Sequence, residues 1–168
     1  MLPQSLARAR ALLENVTPLR TDCGLTCGHI CCQPMEGEMT GMLLFPGEAA
    51  YYDSLDGYRT VDTADGPLLI CSGHCERADR PLSCRLMPLI PLMRADGVKV
   101  ATDLRAKTVC PLARMGKDAL SEEFVSAVRE AGRILAEDEE QKAFLQKLTH
   151  QQDELKALRN QFRRGSHV

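Results

Sequence analysis

Eight cysteines carry most of the chemistry open to this chain of 168 residues. The first four form Cys23-x3-Cys27-x3-Cys31-Cys32. Three more follow as Cys71-x3-Cys75-x8-Cys84, and Cys110 stands alone before Pro111. Thiolates are soft ligands that select zinc, copper(I) and iron–sulfur clusters over magnesium or calcium. Two cysteines a few residues apart can turn both sulfurs toward one point, about 2.3 Å from an ion. Two such turns, distant in sequence, can complete a closed site. A metal there would staple residues 23–34 to residues 71–84, and its binding energy would also be folding energy. Cys23, Cys27, Cys31, Cys32, Cys71, Cys75, Cys84 and Cys110 are therefore the expected metal ligands.

Other readings compete for particular residues. Cys71 follows Leu-Leu-Ile and Cys110 follows Val109, so both also suit burial as small hydrophobes. Adjacent Cys31 and Cys32 need not bind the same ion. His29 and His74 sit inside the blocks and are possible zinc ligands, although eight thiols already suffice for two four-coordinate sites. Asp22, Glu76, Arg77, Asp79 and Arg80 are expected in solvent or behind the ligands, where arginine can balance thiolate charge. Gly24, Gly28 and Gly73 free the backbone beside the ligands. Zinc and a [4Fe-4S] cluster are nearly even expectations. Zinc is favoured because no recognised cluster spacing is present. Iron–sulfur is favoured by the thiol count, the lack of a required histidine and the Cys110-Pro111 step.

The motifs that are missing narrow the function. Without C-x-x-C, a thioredoxin-type redox site is disfavoured. A C-x3-C-x2-C radical-enzyme run would need cysteine where Ile30 and Ala78 stand. There is no phosphate-binding glycine loop, no H-E-x-x-H and no G-x-S-x-G elbow. Net charge is −2, so no global basic field attracts nucleic acid or anionic lipid. Residues 1–16 mix Arg8, Arg10 and Glu14 among leucines and do not read as a signal peptide. The apolar run 86–93 contains Pro88 and Pro91 and is too short to span a bilayer. The expectation is a cytoplasmic protein with reduced thiols; exported, the same cysteines would read as four disulfides.

Periodicity supplies the elements that must hold the thiols. Residues 3–15 read as a helix with Leu6, Ala9, Leu13 and Val16 on one face. The first block, 21–34, reads as a wrapping loop, neither helix nor strand. Residues 41–56 read as a short buried stretch leading to a helix near Pro46 and Glu48. Between 58 and 109, pieces such as YRTVD, PLLIC and GVKVATD alternate with Asp-Gly steps at 56–57, 65–66 and 96–97, giving a small antiparallel sheet. From Ser121 the chain turns helical, with Phe124, Val125, Val128, Ala131 and Leu135 on one face. A last helix begins near Asp138. Its Phe144, Leu148, Gln151, Leu155, Leu158 and Phe162 make a heptad seam, for packing on its own domain or for a partner. The expected fold is α+β: a metal-stapled cysteine-rich domain over 1–116, and a helical hairpin over 117–168.

Taken together, CGLTCGHICC, then CSGHCERADRPLSCRLMP, then the late Cys110 resemble the bacterial and archaeal cysteine-cluster family (YkgJ-like), described as a zinc- or iron-chelating domain. The resemblance covers roughly residues 20–112 and is carried by Arg80-Pro81, Cys84-Arg85, Pro88 and the Cys-Cys pair. Two three-residue gaps in the first block replace the family's common two-residue gaps. The resemblance implies metal binding through the eight cysteines. A more distant likeness to flagellin lysine methylases implies an iron–sulfur enzyme or enzyme subunit, for protein lysine methylation or electron transfer. Expected partners are another protein or a second copy at the last helix, with no nucleic acid and no membrane.

Overall fold

The computed structural model describes residues 1–33, 41–73 and 75–165, the side chains of 164 and 165 excepted. His74 and Pro34 lie outside the described residues.

The architecture is α+β, with short antiparallel sheets and C-terminal helices. In chain order the elements are α1 (Gln4–Leu12), α2 (Cys23–Cys27), β1 (Met42–Leu43), α3 (Ala49–Tyr52), β2 (Tyr58–Thr63), β3 (Gly66–Cys71), α4 (Leu82–Leu86), β4 (Leu89–Arg94), β5 (Gly97–Thr102), α5 (Pro111–Met115), α6 (Glu122–Leu135) and α7 (Glu139–Gly165). One sheet has the order β1-β3-β2; the other is the hairpin β4-β5. Thr63 pairs with Gly66 and Arg94 with Gly97. Each hairpin thus turns at the residues just before its Asp-Gly step ends. Gly66 (φ 130°) and Gly97 (φ 112°) supply the positive φ that closes the turn.

β4 is not among the strand pieces read from the sequence, and it carries Pro91 in its interior. The structure shows why proline is tolerated there. The amide of Met93, two residues on, points away from β5 and donates to Thr149 Oγ1 of α7 at 2.9 Å. Pro91 lies at the same parity, on the side of the strand that makes no ladder bonds.

One buried cluster unites Leu6, Leu13, Leu89, Val100, Phe124, Val128, Leu135 and Leu145, drawn from both sides of position 117. α6 uses the expected face, and it lies very close to the second sheet. A Cβ on Gly132 would fall 2.6 Å from Pro91 Cβ and 2.8 Å from Val98 Cγ1. α7 buries the first part of the heptad seam, Phe144 and Leu148, on its own domain, together with a partly polar stripe beside it, and leaves the rest of the seam exposed. Gln141, Leu145, Leu148, Thr149 and Gln152 are buried, whereas Leu155, Leu158 and Phe162 are exposed. Several members of the buried stripe are polar, which hid it from an apolar-periodicity reading. Among the described residues, no helix is long and apolar enough to cross a membrane.

The elements around the cysteines are joined by a buried ion pair. Glu48, fully buried, accepts from Arg10 Nη1 at 2.6 Å, Leu82 N at 2.8 Å and Phe45 N at 3.2 Å. It links α1, the chain before α3, and the first turn of α4, two residues from Cys84. A buried carboxylate is tolerated only when its lone pairs are matched in this way.

Candidate metal centre

The first block is helical where it was expected to be a loop. Asp22 caps α2 by accepting from Gly24 N at 3.0 Å, and Gly28 ends the helix at φ 65°, ψ 32°. An Asp N-cap and a Gly just past the last residue are ordinary helix stop and start signals. The x3 spacing puts Cys23 and Cys27 four residues apart on one helix face. His29 is also left-handed (φ 55°), so the chain turns sharply before the tight turn Ile30–Cys32. A Cβ on Gly24 would come within 2.4 Å of His29 Nδ1. The imidazole therefore lies against α2, and only glycine leaves room for it.

The second block uses different devices. Cys71 is the last residue of β3 and pairs with Tyr58. Cys75 follows Gly73, whose φ is 93°. Cys84 sits inside α4. Cys110 precedes Pro111, which opens α5, so the Cys-Pro step is also a helix start. Cys110 is buried among Ala106, Ala113 and Met87, in keeping with the small-hydrophobe reading.

All eight cysteines are free thiols. Their mutual electrostatics link several of them. Burial raises the Cys23 thiol above the ordinary value, and charge on Asp22, Cys27 and Cys110 raises it further. Burial raises Cys84 well above the ordinary value, followed by Cys32, Cys75 and Cys71. Cys75 is likewise raised by burial, with Cys32 and Cys71 adding to the effect. Cys31 is exposed, and its Sγ lies 3.9 Å from Cys32 Sγ. The Cys31 thiol is raised first by its hydrogen bond with Cys32, and it also senses Cys84 and Cys23. Cys31, Cys32, Cys71, Cys75 and Cys84 share the wall of one cavity, and Cys23 senses Cys27 and Cys110. Among the described residues, no three His, Cys, Asp or Glu side chains gather tightly enough to hold one ion.

The surrounding arginines have specific tasks. Arg80 bridges the blocks: it pairs with Asp22 at 3.2 Å, and its charge near the Cys75 thiol opposes the rise in that thiol's pKa. Arg85 donates to the carbonyls of Ala78 (2.7 Å), Arg80 (2.9 Å) and Arg10 (3.0 Å), bracing the chain between Cys75 and Cys84. Arg77 donates to the carbonyls of Glu14, Leu13 and Val16 beyond the end of α1, so its role is to anchor that helix end. Asp79 accepts from Tyr51 Oη at 3.0 Å.

Sequence reading missed Tyr58. Burial pushes its phenol pKa up, and charge on the neighbouring Cys75 pushes it further. Only the pairing of Tyr58 with Cys71 across the sheet brings it to the thiols. A cavity of about 770 Å³ opens beside them; Cys31, Cys32, Cys71, Cys75 and Cys84 form part of its wall.

No family model matches the chain, and no curated protein or solved structure matches it. The reading of this centre therefore stands on its own donors. The donor set suits a soft metal: eight thiols, one of them, Cys75, with Arg80 and Tyr58 as electrostatic neighbours.

Proposed function

We propose that this protein is a cysteine-ligated metal protein that chelates zinc or a [4Fe-4S] cluster in a reducing compartment. The observation that carries the reading is that free thiols of both blocks, Cys31, Cys32, Cys71, Cys75 and Cys84, line one cavity, although no three of them gather tightly enough to hold an ion as they stand. Cys32, Cys71, Cys75 and Cys84 would hold one centre. Cys23, Cys27 and Cys110 would hold the other, with Cys31 available to either. The resemblance to the zinc- or iron-chelating cysteine-cluster family supports the same reading. Zinc would supply structural cross-linking, and a cluster would supply electron transfer.

A second reading, an iron–sulfur enzyme or enzyme subunit acting in protein lysine methylation or electron transfer, is favoured by the cavity against the thiols. Exposed Leu155 and Leu158 on α7 support contact with a protein partner or a second copy.

The test is Cys84→Ser and Cys27→Ser, each with metal content and melting temperature measured. The reading expects metal and melting temperature to fall together in both. Unchanged metal and unchanged melting in both variants would refute it.

A further inference from the structure

The cavity beside the thiols has its own composition. Its volume, about 770 Å³, lies within the usual range for small-molecule sites. Apart from the thiols, its wall is largely aliphatic and aromatic, including Leu43, Leu68, Ile90 and Phe144. Four charged residues also line it: Arg59, Asp65, Asp103 and Arg105. Three of them are already matched. Asp103 pairs with Arg105 at 2.7 Å and accepts from Gln152 at 2.8 Å. Asp65 pairs with Lys147 at 3.2 Å and accepts from Gln151 at 2.7 Å. Arg59, opposite Ile70 in the β2–β3 ladder, has no charged or hydrogen-bonding partner among the described residues.

We propose that this cavity binds a small organic anion, with an apolar body against Leu68 and Phe144 and one negative group at the Arg59 guanidinium, beside the cysteine wall. A guanidinium offers donors in a planar fork suited to a carboxylate, sulfonate or phosphate oxygen pair. The apolar wall supplies non-directional affinity for the body. The unmatched cation supplies the preference for charge. The lining carboxylates are already taken, so a cationic ligand finds no free counter-ion. This goes beyond metal chelation, since it assigns a ligand class to the space next to the thiols.

The experiment titrates the full chain, purified without oxygen, with naphthalene-2-sulfonate and with neutral 2-naphthol, by calorimetry. The expected result is one saturable equivalent of the sulfonate, bound about fivefold or more tighter than the neutral probe. Arg59→Gln should bring the sulfonate down to the affinity of the neutral probe. Leu68→Trp, which fills the cavity from a half-buried strand position, should abolish binding of both. No saturable binding, equal affinity for the two probes, or a preference that survives Arg59→Gln overturns the proposal. Arg59 is exposed, so that variant folds even if Leu68→Trp does not. Metal content measured on the same samples separates the two readings: full metal without probe binding fails this inference alone.

Discussion

At the residue scale, the decisive groups are the thiols and the two neighbours of Cys75. Arg80 and Tyr58 both neighbour that thiol electrostatically, one from the second block and one from β2. Groups supporting a ligand from behind commonly change metal affinity by about 10–100-fold. Tyr58→Phe and Arg80→Gln should each weaken metal retention by about tenfold in chelator competition, with little loss of secondary structure by circular dichroism. Retention equal to wild type in both would mean that these contacts do not support the site. The raised thiols also set a pH dependence. Cys23, Cys75 and Cys84 have pKa values above the ordinary thiol, so at neutral pH they hold protons that a metal must displace. Affinity should therefore fall as pH falls, with protons released on binding. A chelator competition repeated at pH 6.5 and pH 8 reads the sign.

At the element scale, the site depends on short pieces held by unusual backbone and by buried polar ties. α2 was legible in principle, since Asp22 and Gly28 flank a run whose cysteines repeat at helix spacing. The density of glycine and cysteine suggested a loop instead. The hairpins were readable from their Asp-Gly steps, whereas β4 was not, because the edge that excuses Pro91 is defined only by α7 and β5. Glu48 was readable only as an acidic residue at a helix start, because its buried partners Arg10 and Leu82 are far away in sequence. Glu48→Ala leaves Arg10 buried without its counter-charge, and it should cost about 3–5 kcal/mol in urea unfolding. Gly132→Ala must push α6 from Pro91 and Val98, and it should cost about 1–3 kcal/mol. α7 separates a buried half from an exposed one. Leu145→Ala should cost about 2–5 kcal/mol, while Leu158→Ser should stay within about 0.5 kcal/mol in the isolated chain.

At the scale of the whole molecule, composition and cysteine spacing made the fold class and the thiol set readable. They could not show how the thiols divide. Any such division depends on the fold, which sets Cys31, Cys32, Cys71, Cys75 and Cys84 around one cavity and places Cys110 at the start of α5. A metal joining such distant segments would stabilise the fold by several kcal/mol, because the binding energy is realised only in the native state. The most direct measurement is metal and sulfide content, with the visible absorption spectrum, on protein purified without oxygen. The account predicts stoichiometric zinc in colourless protein, or iron and sulfide with a broad visible band. Fully folded protein with no bound metal, its eight thiols either all titratable or all oxidised, would contradict it.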